Sequence, residues 1–224
     1  MSVDIVLVKA NNQKKVFQDL SKDLSGIEPP LWMILTAAYL REKGYSVSVI
    51  DAEAENIDST ETAQRALAID PRLICFIVSG TNPSASTINM PKVSEVLSKL
   101  KEMNGDVPTA IGGLHPSSLP ERTMQEEVVD YVIEGEGFYT IENLLDELQS
   151  QKKDEADFSS PGLWYRKEGT ICSNPRPENV QDLGTLPMPA WDLLPMERYR
   201  AHNWHCFSHI KERTPYAVLY TSLG

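Results

Sequence analysis

The sequence predicts an α/β fold, in which a doubly wound, mainly parallel five-stranded sheet of flavodoxin-like or Rossmann-like type is followed by a C-terminal hairpin and an extended linker. Three observations lead to this prediction. Short, almost wholly apolar runs recur along residues 1–150. Amphipathic helical patterns separate these runs, and turn-forming residues mark many of the boundaries. Strands that are apolar on both faces are typical of parallel sheets covered by helices on both sides.

The apolar runs are expected to form the five strands, at Val3–Val8, Ser46–Asp51, Leu73–Val78, Thr109–Ile111 and Tyr131–Ile133. Helical spacing of apolar residues predicts helices between and after them, around residues 31–43, 59–69, 91–100, 121–127 and 141–148. Pro91 is expected in a first helical turn, where its missing N–H has no cost. Right-handed crossovers favour a doubly wound sheet, for which we expect the flavodoxin-like strand order.

The composition changes after residue 150, which predicts three parts. Residues 1–150 form the α/β domain, 151–215 a hairpin and proline-rich interdomain linker, and 216–224 the beginning of a further strand. The hairpin is expected from Leu163–Arg166 and Thr170–Ser173, which flank a Lys-Glu-Gly turn. The linker is expected to be extended, because proline fixes φ and its predecessor avoids the helical region.

Composition also restricts the functional class and the compartment. The net charge of −11 over 224 residues argues against nucleic-acid binding, which needs a basic face. No apolar stretch is long enough to span a bilayer, and the N-terminus lacks the basic region of a secretory signal. Cys75, Cys172 and Cys206 are widely separated and odd in number, so we expect reduced thiols and a cytoplasmic protein.

Two runs break from apolar strands into glycine, at Ile111–Pro116 and Val132–Gly137. Ligands of open α/β sheets lie at the carboxyl ends of the strands, and glycine lets them approach bare backbone. Small, polar or glycine residues follow the third, fourth and fifth strands together, which predicts a slot on one side of the sheet. The candidate cofactor-binding residues are Ser79, Gly80, Thr81, Asn82, Gly112, Gly113, Leu114, His115, Glu134, Gly135 and Glu136.

Other ligand classes are less consistent with the residues. Dinucleotide binding needs a glycine-rich turn after the first strand, but Lys9–Gln13 contains no glycine, so Asp51 is expected to cap the following segment. A phospho-receiver domain would need an acidic pair where Lys9 stands and a lysine near Glu134. His115 is expected to be a hydrogen-bonded turn residue. One short window holds further zinc-type side chains, whose spacing matches no structural zinc site: His202, His205, Cys206 and His209.

Segments along nearly the whole chain resemble the cobalamin-binding N-terminal part of B12-dependent radical S-adenosylmethionine enzymes. The opening of that domain is similar to Pro29–Leu31, Ala37–Tyr45 and Val47–Ala52, and its fourth- and fifth-strand loops are similar to Gly112–Pro116 and Glu134–Gly137. Its interdomain linker is similar to Leu186–Asp192. The residues before its iron–sulfur cysteine motif are similar to Tyr220–Gly224.

The resemblance implies a corrinoid over the carboxyl edge of the sheet. Its nucleotide tail would pass beside the sheet near Ser79–Asn82 and Gly112–Gly113, with Glu134–Gly137 flanking the groove. The corrinoid signature Asp-x-His-x-x-Gly is absent, so base-off cobalamin without a protein histidine ligand is expected.

The cluster motif Cys-x-x-x-Cys-x-x-Cys is absent as well. The chain therefore resembles a fragment that stops where a radical barrel would begin, with no catalytic or metal-ligating residues of its own. S-adenosylmethionine and a [4Fe-4S] cluster would belong to the missing C-terminal domain. The full protein would carry out methyl transfer or cyclisation.

Two alternatives remain open from the sequence. The same groove suits a regulatory α/β module that binds a nucleotide or a partner peptide and no corrinoid. A domain that has kept the fold and lost its ligand would show bulky side chains filling the groove beside Gly112 and Gly113.

Overall fold

A computed structural model describes residues 3–12, 25–79, 83–150, 158–202 and 212–220. It contains one mixed sheet of seven strands: β1 (Val3–Lys9), β2 (Val47–Asp51), β3 (Pro71–Val78), β4 (Thr109–Gly113), β5 (Tyr131–Ile133), β6 (Leu163–Lys167) and β7 (Thr170–Ser173). The strand order is β2-β1-β3-β4-β5-β6-β7, and the first five strands are parallel. The α/β class and the flavodoxin-like order of these five strands are confirmed.

Helices cover both faces of the sheet. In the described residues they are α1 (Leu31–Glu42), α2 (Ala52–Glu55), α3 (Ser59–Ala68), α4 (Pro83–Met103), α5 (Leu114–Ser118), α6 (Pro120–Glu126) and α7 (Phe138–Ser150). The buried residues of α1 and α7 share one apolar core with one face of the sheet, and those of α3, α4 and α6 share a second core with the other. This double coverage explains why the central residues of most parallel strands are apolar on both faces. Among the described helices, none combines the length and apolarity needed to cross a lipid bilayer.

The predicted hairpin forms, but it is part of the sheet, so the sheet has seven strands rather than five. Strand β6 pairs antiparallel with β5, and β7 pairs with β6. An aromatic cluster holds this junction together, since the Phe158 ring lies 5.1 Å from that of Tyr131 and 5.2 Å from that of Tyr165. The hairpin thus covers the edge of β5 that would otherwise present unpaired backbone groups.

Pro91 lies inside α4 and not in its first turn, so the predicted helix start at this residue is wrong. A proline inside a helix removes one backbone hydrogen bond. The helix continues through it because Met90 and Val93, on either side, are buried against the sheet. Tertiary packing therefore outweighs the local cost of the proline.

The linker is only partly extended, because short 3-10 turns interrupt it at Leu183–Thr185, Trp191–Leu193 and Met196–Arg198. It packs on the α/β part, and the backbone N–H of Ala190 donates to the carbonyl of Ile34 at 3.0 Å. The predicted strand at the C-terminus does not form within residues 216–220, and residues 221–224 lie outside the described part of the chain.

Candidate cofactor-binding site

The predicted site residues after β3 and β4 meet at one edge of the sheet. In the β3–β4 register, Ile77 lies opposite Gly112 and Val78 opposite Gly113. Because parallel strands end at the same edge, Ser79 and the loop that starts at Leu114 are neighbours there. Residues 80–82, which include the predicted Gly80, Thr81 and Asn82, lie outside the described residues.

The absence of a side chain has a different explanation at each of the two glycines that end β4. Gly113 has a φ of +117°, and a Cβ atom built on it would lie 2.1 Å from the carbonyl oxygen of Val78. The fold therefore requires glycine at this position. A Cβ built on Gly112 would lie 3.6 Å from Ile133 Cβ and 3.8 Å from Ile77 Cδ1, which are ordinary contacts. The protein's own packing does not require the missing side chain of Gly112.

The amino-terminal part of α4 joins the ends of β3 and β4. The Ser86 hydroxyl, fully buried, donates to the Val78 carbonyl at 2.8 Å and accepts from the backbone N–H of His115 at 3.0 Å. The Thr87 hydroxyl and His115 Nδ1 lie 2.8 Å apart. His115 is only 8% exposed, so its expected hydrogen bonding is confirmed, but the residue lies in the short helix α5 and not in a turn.

The burial of His115 predicts a pH dependence of stability. Burial, followed by the charge of Arg122, holds the pKa of His115 below its ordinary value of 6.5, against the smaller opposing effect of Glu126. The unfolded chain therefore binds this proton at a higher pH than the folded chain. The free energy of unfolding should be constant above this range and fall as the pH drops through 6.5. Urea denaturation between pH 5 and 8 checks this, since His115→Asn should flatten the profile. An unchanged profile in this variant would contradict the assignment to His115.

Asn12, in the loop after β1, links the end of that strand to α4. Sequence analysis did not single out this residue. Asn12 Nδ2 donates to the carbonyl of Ile88 at 2.8 Å and to Asn89 Oδ1 at 3.1 Å. Asn89 Nδ2 in turn donates to the carbonyl of Ser79 at 2.9 Å. The ends of β1 and β3 are thus joined through α4. The available signal was the position of Asn12 just after the first strand, next to the point where the strand order reverses.

The predicted acidic residues after β5 contact the C-terminal segment with their side chains. Glu134 Oε2 accepts from Trp164 Nε1 at 3.0 Å, and Glu136 Oε2 accepts from the backbone N–H of Val180 at 2.5 Å. A Cβ built on Gly135 would lie 3.1 Å from Pro177 Cγ, so the linker also covers this glycine. These contacts fasten the hairpin and the linker to the end of β5.

A buried ionic cluster occupies the carboxyl ends of β1 and β2. Lys9 Nζ lies 2.5 Å from Glu53 Oε2 and 3.6 Å from Asp51 Oδ2. Burial disfavours the charged ammonium, but these carboxylates outweigh it and raise the pKa of Lys9. Asp51 Oδ1 accepts from the backbone N–H groups of Glu53 and Ala54, both at 3.1 Å, so the predicted capping role of Asp51 is confirmed.

The linker covers this cluster. The hydroxyl of Tyr199, a fully buried residue, donates to Asp51 Oδ2 at 2.8 Å. Burial, together with the Asp51 carboxylate, raises the pKa of Tyr199, so the phenol stays protonated. At the other end of the same edge, Leu114 is 42% exposed. The carboxyl edge of the sheet is therefore covered over β1 and β2 and accessible near β4.

Other features do not compete with this edge as a cofactor site. A cavity of about 460 Å³ lies between α7 and the linker, and its lining, which includes Tyr139 and Asn143, contains none of the predicted cofactor-binding residues. In the described ranges no group of three metal-ligating side chains occurs. Of the histidine–cysteine window only His202 is described. Cys75 and Cys172 are free thiols, and burial raises the pKa of Cys75 to about 12.

Comparison with known proteins agrees with this geometry. Residues 19–145, more than half of the chain, match the model of the B12 binding domain. The chain is 29% identical over 197 residues to an uncharacterized methyltransferase of Pyrococcus horikoshii, covering 88% of the chain and 38% of that protein. It is 25% identical over 181 residues to the anaerobic magnesium-protoporphyrin IX monomethyl ester cyclase of Rubrivivax gelatinosus, covering 79% of the chain and 31% of the cyclase.

Solved structures share the fold. The cobalamin-dependent S-adenosylmethionine radical enzyme OxsB with aqua-cobalamin bound superposes with a TM-score of 0.62 and 20% identity, covering 85% of this chain and 24% of that one. The radical S-adenosylmethionine methyltransferase TsrM of Kitasatospora setae, with cobalamin and a [4Fe-4S] cluster bound, gives 0.61 and 18%, covering 85% of this chain and 31% of that one.

The chain thus spans well under half the length of these relatives. The matched residues 19–145 include β3, β4 and β5 together with the loops that follow them. This match favours a corrinoid over the nucleotide or peptide ligand that the sequence left open. The chain belongs to the B12-binding domain family.

Proposed function

We propose that this chain holds cobalamin over the carboxyl ends of β3, β4 and β5 and positions it within a longer radical S-adenosylmethionine protein. The observation that carries this proposal is Gly112, where neither the backbone nor the packing explains the missing side chain. A flat heterocycle can lie against main chain only where side chains are absent. The linker covers the edge over β1 and β2 and also contacts Gly135 after β5, which leaves the part of the edge near β4 accessible to the cofactor.

The residues proposed to contact the corrinoid are those at this part of the edge. Ser79 and Leu114, with residues 80–82, offer hydroxyl, amide and backbone groups, which can hold a phosphate without a lysine. The carboxylates of Glu134 and Glu136 accept hydrogen bonds from the hairpin and the linker. We therefore expect these residues and Gly135 to form the border of the groove with their main chain.

We further propose that the cobalamin binds base-off, without a histidine ligand. Of the two described histidines, His115 is the one at the groove, and its backbone and ring are held by Ser86 and Thr87. Its imidazole is therefore turned into the protein and not toward a ligand above the edge. Replacing His115 by Asn should leave the visible spectrum of the bound corrinoid unchanged, whereas a spectral shift would refute this mode.

The cofactor would supply the chemistry of the longer protein by carrying a methyl group to a substrate or assisting a cyclisation. The methyltransferase and cyclase names of the relatives support these two classes. Cys75 and Cys172 lie on strands β3 and β7, so S-adenosylmethionine and the [4Fe-4S] cluster would be held by another part of that protein. The free thiols support a cytoplasmic location.

Hydroxocobalamin binding tests the proposed site. The wild-type chain should retain the corrinoid absorbance after desalting. Gly112→Val should weaken binding by tenfold or more, about 1.4 kcal/mol or above, because the larger side chain extends into the groove. The urea denaturation midpoint should show that the variant is folded.

Gly105→Val is the matched control, because Gly105 lies in the turn after α4, where an added Cβ meets only Lys101 O at 3.6 Å. This control should bind as the wild type does. Wild-type affinity in the folded Gly112→Val protein would refute the site, and absence of corrinoid from the wild-type chain would refute the function.

A further inference from the structure

We propose that the carboxamide oxygen of Asn12 accepts a hydrogen bond from the bound corrinoid, donated by an amide or hydroxyl group that enters the protein below the rim of the sheet. This inference rests on the proposed function and adds to it a named contact and its chemistry. Asn12 follows β1, beside the reversal of strand order between β1 and β3.

The orientation of the Asn12 side chain is fixed by its own donors. Both hydrogen bonds of Nδ2 go to oxygen atoms, one to the Ile88 carbonyl and one to Asn89 Oδ1. Exchanging the nitrogen and oxygen of the amide would place Asn12 Oδ1 against the Ile88 carbonyl, where both atoms are acceptors. The oxygen therefore points away from α4.

Asn12 Oδ1 has no hydrogen-bond partner among the described residues, although it is buried with less than 1 Å² exposed. The residue as a whole is 4% exposed. Buried polar atoms are almost always paired, because an unpaired one loses its bonds to water without replacement. An acceptor kept in this state at a ligand-binding edge indicates a donor that arrives with the ligand.

The chemistry of the donor follows from this burial. A flat ring resting on the rim does not reach an atom with so little exposed surface, so the donor must be carried by a flexible arm that displaces the residues covering Asn12 Oδ1. Corrinoids carry primary amides on flexible arms around the ring and a ribose hydroxyl in the nucleotide tail. Both are donors, and both suit an oxygen that accepts only.

Titration with hydroxocobalamin separates this contact from a purely structural role. Asn12→Ala removes the acceptor and should weaken affinity tenfold or more. Asn89→Ala removes one acceptor of Asn12 Nδ2 and the bond to the Ser79 carbonyl, but it keeps Asn12 Oδ1. It should therefore weaken affinity threefold or less. Equal losses in the two variants, or wild-type affinity in Asn12→Ala, would overturn the proposal.

Cobinamide, which lacks the nucleotide, identifies the source of the donor. If Asn12→Ala weakens cobinamide binding as strongly as cobalamin binding, the donor is a ring amide. If the effect is seen with cobalamin alone, the donor belongs to the nucleotide tail. A wild-type chain that binds neither corrinoid would refute the proposed function, and this inference with it.

A measurement on the unaltered protein keeps the test independent of variant folding. With ¹⁵N-labelled asparagine, the side-chain NH₂ signals of Asn12 should shift when diamagnetic hydroxocobalamin binds, because its carbonyl gains a donor. Unchanged Asn12 signals in the loaded protein would overturn the contact.

Discussion

Gly113→Ala is expected to lower the free energy of unfolding by about 3 kcal/mol or more, the sum of backbone strain and a core overlap. The added Cβ would lie 2.1 Å from the Val78 carbonyl oxygen, and alanine rarely adopts the φ of +117° found here. The β3–β4 pair would have to separate at the carboxyl ends of the two strands. Urea denaturation of the two proteins measures the difference.

Gly112→Ala is the matched comparison for this prediction. Its Cβ would make only ordinary contacts with Ile133 and Ile77. The unfolding free energy should stay within about 1 kcal/mol of the wild type and can rise, because alanine restricts the unfolded chain. Equal losses in the two alanine variants would contradict this prediction, because they would show that the backbone conformation of the glycine does not decide the cost of adding a side chain.

Asp51→Ala is expected to cost about 2–4 kcal/mol, because it removes the cap of α2 and the buried acceptor of the Tyr199 hydroxyl. Asp51 is 1% exposed and serves three neighbours at once, because it caps α2, accepts from Tyr199 and lies beside the Lys9 ammonium. Its loss leaves Lys9 with Glu53 as its remaining carboxylate partner. Thermal and urea unfolding should both show the loss, and a change below about 1 kcal/mol would contradict a structural role for the cluster.

Tyr199→Phe isolates the contribution of the linker to this cluster. The ring stays, and only the hydroxyl that donates to Asp51 Oδ2 is removed. The expected loss is about 1–2 kcal/mol, the value for leaving a buried acceptor short of one donor. A loss as large as that of Asp51→Ala would mean that the linker, and not the ion pair, carries the stability of this corner.

The parallel strands were predictable because their signal is local. Most are nearly continuous apolar runs, such as Leu73–Val78, whose burial on both faces matches that pattern. The pairing of the hairpin with β5 was not predictable, since it depends on an aromatic cluster assembled from distant residues. Pro91 misled for the same reason, because the packing of Met90 and Val93 keeps the helix continuous through it.

In the candidate site, too, some features were visible in the sequence and others depend on tertiary packing. The glycines after β4 are visible in the sequence, but the difference between Gly112 and Gly113 appears only when a Cβ is placed on each backbone. The position of Asn12 after β1 was a weak signal, because an asparagine after a strand is typical of any turn. The proposed role of Asn12 comes from its buried oxygen, which has no partner among the described residues and which only the folded arrangement of β1 and α4 produces.

The bonds of the linker would affect how the other parts of the proposed longer protein are oriented. Ala190 is tied to Ile34, Asp192 forms an ion pair with Arg41, and Tyr199 is anchored on Asp51. The linker is therefore held on the α/β part at three points between Ala190 and Tyr199. A slack tether would let an attached catalytic unit sample many orientations, with most of them unproductive. An anchored one restricts that search before any substrate arrives.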